Sequence, residues 1–98
     1  MKTIKAKDYT INICEDTKEF VNETNKEIVA MFGIYTPETD MTTYWFNKEV
    51  YNDTLKYAVV STILTNEMIN ADDLETEDDC HNRASIAAFD LVEILENL

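Results

Sequence analysis

Glycine and proline are almost missing from this sequence: Gly33 and Pro37 are the only ones in 98 residues. Hairpins and bulges draw on residues that tolerate positive φ, glycine first among them. The scarcity argues against a barrel or sandwich with many corners and favours helices joined by short polar loops. Basic residues are few as well, 8 Lys+Arg against 20 Asp+Glu, for a net charge of −12. Such a surplus repels nucleic acid and anionic membranes and attracts basic surfaces. Cysteine occurs twice, at Cys14 and Cys80, with no CxxC pair. There is no long apolar run and no apolar signal core after Met1, so the expectation is a cytoplasmic chain with reduced thiols and no membrane span.

What is present is enough for one core. Apolar residues make up 45% of the chain, within the ordinary globular range. A domain usually runs to roughly 100–150 residues, so residues 1–98 read as a single acidic domain. The charge is uneven. Residues 1–49 hold six lysines against nine acids, whereas residues 50–98 hold Lys56 and Arg83 against eleven.

The local patterns predict a mainly α protein: a compact three- to four-helix bundle with a short N-terminal β-strand. Residues 9–13, Tyr-Thr-Ile-Asn-Ile, alternate as a half-buried strand does. Their candidate partner is Thr42-Thr43-Tyr44-Trp45-Phe46, although Thr36-Pro37 also reads as a cap and first position of a short helix over 37–46. Asp16-Thr17-Lys18-Glu19 is a capping box. Phe20, Val21, Thr24, Ile28, Met31 and Phe32 follow at helical spacing, which predicts a helix over 17–32 closed by Gly33. A second helix is expected over 47–70 and a third, capped at Thr76, over 77–97.

Chemistry finds little support. His81 stands beside Cys80, and side chains at i and i+1 on a helix diverge too far for a dyad. Cys14, Cys80 and His81 do not make a zinc ligand set. Counted from Asp73, an EF-hand loop would need Gly at its sixth position and Glu at its twelfth; Asp78 and Ala84 stand there. Asp90 is a lone carboxylate with nothing converging on it. No glycine-rich loop cradles phosphate. Direct nucleic-acid binding needs clustered cations, and only Lys2, Lys5 and Lys7 group at all. The expectation is therefore a non-enzymatic protein without metal or cofactor.

Two acidic features remain. Glu15, Glu19, Glu23 and Glu27 step by four, and Asp72, Asp73, Glu75, Glu77, Asp78 and Asp79 fall in a stretch with no cation. Carboxylates one helical turn apart have a spacing of the same order as backbone phosphates. Such rows would let the chain bind and inhibit a basic protein, most concretely a nucleic-acid-binding one, as a DNA mimic. In size, charge and expected helicity the chain resembles small acidic phage proteins that inhibit nucleic-acid-binding proteins. The competing expectation is a helical adaptor or homodimer joined through Trp45, Phe46, Ile86 and Phe89, with the acids serving only solubility.

Overall fold

A computed structural model describes residues 1–6, 9–26, 28–69 and 76–98. The elements run β1 (Lys2–Lys5), β2 (Tyr9–Cys14), α1 (Thr17–Thr24), β3 (Met31–Thr36), β4 (Met41–Asn47), α2 (Lys56–Ile69) and α3 (Glu77–Glu96). A 3-10 turn at Asp53–Leu55, capped by the Asn52 side chain, leads into α2. The fold is thus α+β, and the mainly α bundle expected from the sequence does not form.

The strands make one mixed sheet in the order β1-β2-β4-β3. At its centre β2 runs parallel to β4, with Tyr9 opposite Thr42 and Ile13 opposite Phe46. The two β-rich runs of the sequence therefore do pair, and 41–47 is a strand and not a helix. β1 and β3 flank them as antiparallel edges.

The pleat sorts the side chains. Ile11, Ile13, Tyr44, Phe46 and Met31 face α2 and α3, and they pack with Val59, Ile63, Ala88, Leu91, Val92 and Leu95 into one buried core. The other face carries Thr10, Asn12, Phe32, Ile34, Thr43 and Trp45. α1 closes only its end, where Phe20, Cys14 and Asn47 are fully buried. There the Asn47 side chain donates to Thr17 Oγ1 at 3.3 Å.

Departures at Asn25, Asp40, Pro37 and Gly33 explain the change of fold class. Asn25 adopts φ 56 and ends α1 after Thr24, its N–H donating to the Val21 carbonyl. Asn tolerates the left-handed region better than most residues, so the helix stops there and the stretch expected to continue it to residue 32 turns into β3. Asp40 takes φ 54 between β3 and β4, supplying positive φ without glycine. Pro37 follows Thr36 in a turn closed by Thr39 N–H to Thr36 C=O at 3.3 Å, a setting that suits Pro at the second turn position. Gly33 lies inside β3 and is no helix cap. A Cβ there would sit 2.8 Å from Asn66 Nδ2 and 2.9 Å from the Tyr44 ring, so its bareness lets α2 lie close over the edge strand.

The capping predictions hold better. Asp16 accepts from the Glu19 N–H, and Thr76 accepts from the Asp79 N–H. The third helix runs over 77–96, close to its expected span, whereas the second begins at Lys56 and not at residue 47.

Candidate partner-binding surfaces

The N-terminal acidic row does not survive as a helical stripe. Glu15 precedes α1, and its N–H donates to Glu19 Oε2 at 2.9 Å. Its own carboxylate lies 3.6 Å from Lys48 Nζ. Glu19 also meets the Met1 amino group at 2.9 Å. That pair and the bond from the Glu15 N–H hold the Glu19 carboxyl below its ordinary range. Glu23 is exposed on α1. Glu27 lies outside the described residues. Of this row, Glu15 and Glu19 are engaged within the chain.

The C-terminal acids behave differently. Asp72, Asp73 and Glu75 lie outside the described residues. Glu77, Asp78 and Asp79 fill the exposed first turn of α3, where the helix dipole favours negative charge without any partner. Further along α3, Asp90 and Glu93 are exposed too. Among the described residues none of these five carboxylates meets a cation.

The same helix bears unburied apolar side chains. Ile86 is 64% exposed, Phe89 65%, and Tyr57 on neighbouring α2 82%. Phe89 and Tyr57 line an open cleft of about 450 Å³ with Val60, Lys56 and Asp53. Ile86 and Phe89 are three apart and share a helix face. On that face Asp90 and Glu93 lie one turn on from Ile86 and Phe89, and Asp79 lies about two turns before Ile86. The arrangement is an apolar centre inside a negative rim, which is how anchors and steering charges divide at interfaces.

The other two apolar candidates fare otherwise. Phe46 is only 1% exposed and makes an edge contact with Tyr51, ring centroids 5.1 Å apart. It belongs to the core and offers a partner nothing, which corrects the expectation placed on it. Trp45 lies on the open face of the sheet, stacked at 5.9 Å on Phe32, whose ring also carries Lys26 Nζ at 4.9 Å. The sheet separates Trp45 from Ile86 and Phe89, so these residues do not form one surface.

One polar cluster went unnoticed in the sequence. Glu67 is 5% exposed. Tyr44 Oη donates to its Oε1 at 3.2 Å, Arg83 Nη1 to its Oε2 at 3.3 Å, and Arg83 Nη2 to its backbone carbonyl at 2.8 Å. Burial, then the adjacent carboxylate, push the Tyr44 phenol far above its ordinary range. The ion pair ties α2 to α3 and caps the tyrosine. The signal in the sequence is a single Arg in an acidic half, the residue type best suited to a bidentate or buried ion pair.

Nucleophile and metal candidates stay apart. Cys14 is fully buried, and burial pushes its thiol up to about 11, which suppresses the reactive thiolate. Cys80 is buried on α3 and His81 exposed beside it. Cys14 sits under α1 on the opposite face of the sheet. Among the described residues no group of three or more His, Cys, Asp or Glu is placed to hold a metal ion. Among them, no helix is long and apolar enough to cross a membrane. No protein-family model, curated protein or solved structure matches this chain.

Proposed function

We propose that the chain is a small acidic interaction protein that binds a basic protein, most concretely a nucleic-acid-binding one, and occupies that protein's anion-binding surface. The observation that carries this reading is the exposed Ile86–Phe89 pair of α3 beside Asp79, Asp90 and Glu93, acids that no described cation neutralises. The rim would speed encounter, since complementary charge raises on-rates steeply at low salt. The apolar pair would supply the desolvated centre that holds the complex. Glu77 and Asp78 extend the negative surface at the start of α3. The row at Glu15 and Glu19 contributes less, because those carboxylates are occupied within the chain. The two free thiols fit a reducing, cytoplasmic setting.

A homodimer through Ile86, Phe89 and Tyr57 is the second reading, favoured by their exposure alone. One experiment separates the two. The chain is immobilised, bacterial lysate is applied at low salt, and a salt gradient elutes bound proteins for mass spectrometry. The same is done with an Asp78→Asn, Asp79→Asn, Asp90→Asn, Glu93→Gln variant and with Phe89→Ser. Nucleic-acid-binding proteins that leave as salt rises, and that the neutralised variant retains poorly, support the proposal. Binding indifferent to both salt and neutralisation ends it. A dimer lost only in Phe89→Ser supports the second reading.

A further inference from the structure

The two edges of the sheet are built differently. β1 carries Lys2 and Lys5, and edge lysines discourage pairing with another strand. β3 reads Met-Phe-Gly-Ile-Tyr-Thr. It has no charge and no proline, the usual guards of an exposed edge.

Its hydrogen-bonding groups are placed for a partner. The Asn47 N–H donates to the Ala30 carbonyl at 2.8 Å. In an antiparallel pair such bonded positions recur every second residue. Phe32, Ile34 and Thr36 therefore bond to β4 opposite Trp45, Thr43 and Met41. Met31, Gly33 and Tyr35 turn their backbone N–H and C=O outward. Gly33 and Tyr35 are only part-buried, and no hydrogen bond among the described residues takes up their outward groups.

A groove runs along this edge. It measures about 300 Å³ and lies between Phe32 and Gly33 of β3 and Ser61, Thr62, Thr65 and Asn66 of α2. Gly33 permits the helix to close in, since any Cβ would strike Asn66 and Tyr44. Among the described residues no charged one lines the groove, although the chain as a whole carries −12. An edge strand beside a helix is the geometry in which extended peptides add to sheets: main-chain bonds supply affinity and side-chain pockets supply selectivity.

We propose that this groove takes an extended peptide segment of a partner protein as a fifth strand on β3, uncharged along its middle and basic at its flanks. Backbone groups spaced two residues apart call for a strand and not a helix. An ion in the middle of the segment would lose water to a lining that offers no counter-charge. Basic flanks are drawn to the acidic body. A second copy is the poorer occupant, because it brings another strongly negative body to the same edge. The site is independent of the α3 surface, so either can fail without the other.

The test is backbone amide exchange on the full chain by NMR. The probe is a synthetic peptide of alternating threonine and valine flanked by lysines. Exchange at Gly33 and Tyr35 should slow by about tenfold or more at saturating peptide. A peptide N-methylated on alternate residues, along the edge that meets β3, should fail to do this. Ser61→Lys, at an exposed α2 position, should weaken binding by about fivefold, by placing a cation in the groove against a cationic probe. No slowing at Gly33 and Tyr35, or slowing that the N-methylated peptide reproduces, overturns the proposal. Protection of both amides in the chain alone, with a dimeric mass, overturns it too and gives the edge to a second copy.

Discussion

The acids around α1 and the acids along α3 look alike in the sequence and do opposite things in the fold. Near α1 they are structural. Asp16 caps the helix, Glu19 reaches back to the Glu15 N–H and the Met1 amino group, and Glu49 accepts from Thr17 at 2.7 Å. Along α3 only Glu96, at its end, is engaged among the described residues, with Lys56 and Tyr51; the carboxylates of Asp78, Asp79, Asp90 and Glu93 hold no described partner. Glu67 is the limiting case of the first kind, a carboxylate buried against Arg83 and Tyr44. The lesson is that charge count alone does not locate a binding surface. A carboxylate already satisfied within the chain has less to offer a partner, and one left unsatisfied in water costs the fold little to keep.

The comparison breaks most visibly at Glu67. Arg83→Met should leave a buried carboxylate without its cation. Removing one member of a buried pair costs roughly 3–5 kcal/mol, and the part exposure of Arg83 places the loss near the lower end. Urea denaturation would measure it, and a loss below about 1 kcal/mol would class the pair with surface ion pairs. Next in size is Asp16→Ala. It removes the cap of α1 and should cost about 1 kcal/mol; an unchanged midpoint would show that α1 is held by Phe20 packing alone.

The region under α1 also has a pH signature. The folded Cys14 thiol titrates at about 11 against an ordinary 9.0. Below pH 9 both states keep the proton and the contribution to stability is complete. Above it the unfolded thiol ionises while the folded one does not, so stability should fall as pH rises from 9 through 11. Denaturation midpoints across that range, compared with Cys14→Ala, isolate the effect. An equal fall in both proteins would assign the loss to the other groups whose protonated form the fold favours, Tyr44, Tyr51, Tyr35 and Lys56.

How much of this was legible beforehand follows the same division between local and distant causes. The strand at 9–13, the caps at Asp16 and Thr76 and the span of α3 were readable, because each rests on neighbours in sequence; the pairing of 9–13 with 42–46 joins segments about thirty residues apart, and the sequence offered it only beside a helix over 37–46. The stretch from 25 to 36 was not. Ile28, Met31 and Phe32 continue the helical spacing of Phe20 and Val21, and nothing local forbids a helix there. The left-handed turn at Asn25, a local choice that the helical spacing does not reveal, and the tertiary fit of a bare Gly33 beneath Asn66 and Tyr44 decide otherwise. The glycine argument failed for a related reason: Asn25 and Asp40 supply the positive φ that glycine was expected to supply. For the surfaces, exposure of Ile86 and Phe89 was foreseeable from their position off the α3 stripe. Burial of Phe46 was not separable from exposure of Trp45 until the face of β4 turned toward the helices was known.

The smallest expected effect on the fold is the one that sharpens the comparison most. Neutralising Asp78, Asp79, Asp90 and Glu93 together removes no hydrogen bond among the described residues. Asp78 and Asp79, two of the three first-turn acids of α3, favour the helix dipole by roughly 0.3–1 kcal/mol each. Against this, lowering a strongly negative net charge relieves repulsion across the whole body. The two terms oppose, so the thermal midpoint should move by no more than a few degrees, within about 1 kcal/mol. An equivalent set on the other side (Glu15→Gln, Asp16→Ala, Glu19→Gln and Glu49→Ala) removes the same charge but also a cap, the ion pairs to Lys48 and to the Met1 amino group, and an acceptor for Thr17. It should lower the midpoint clearly more. If the two sets cost the same, the acids of α3 are engaged in ways the fold conceals, and the division between structural and surplus charge on which the proposed function rests would have to be abandoned.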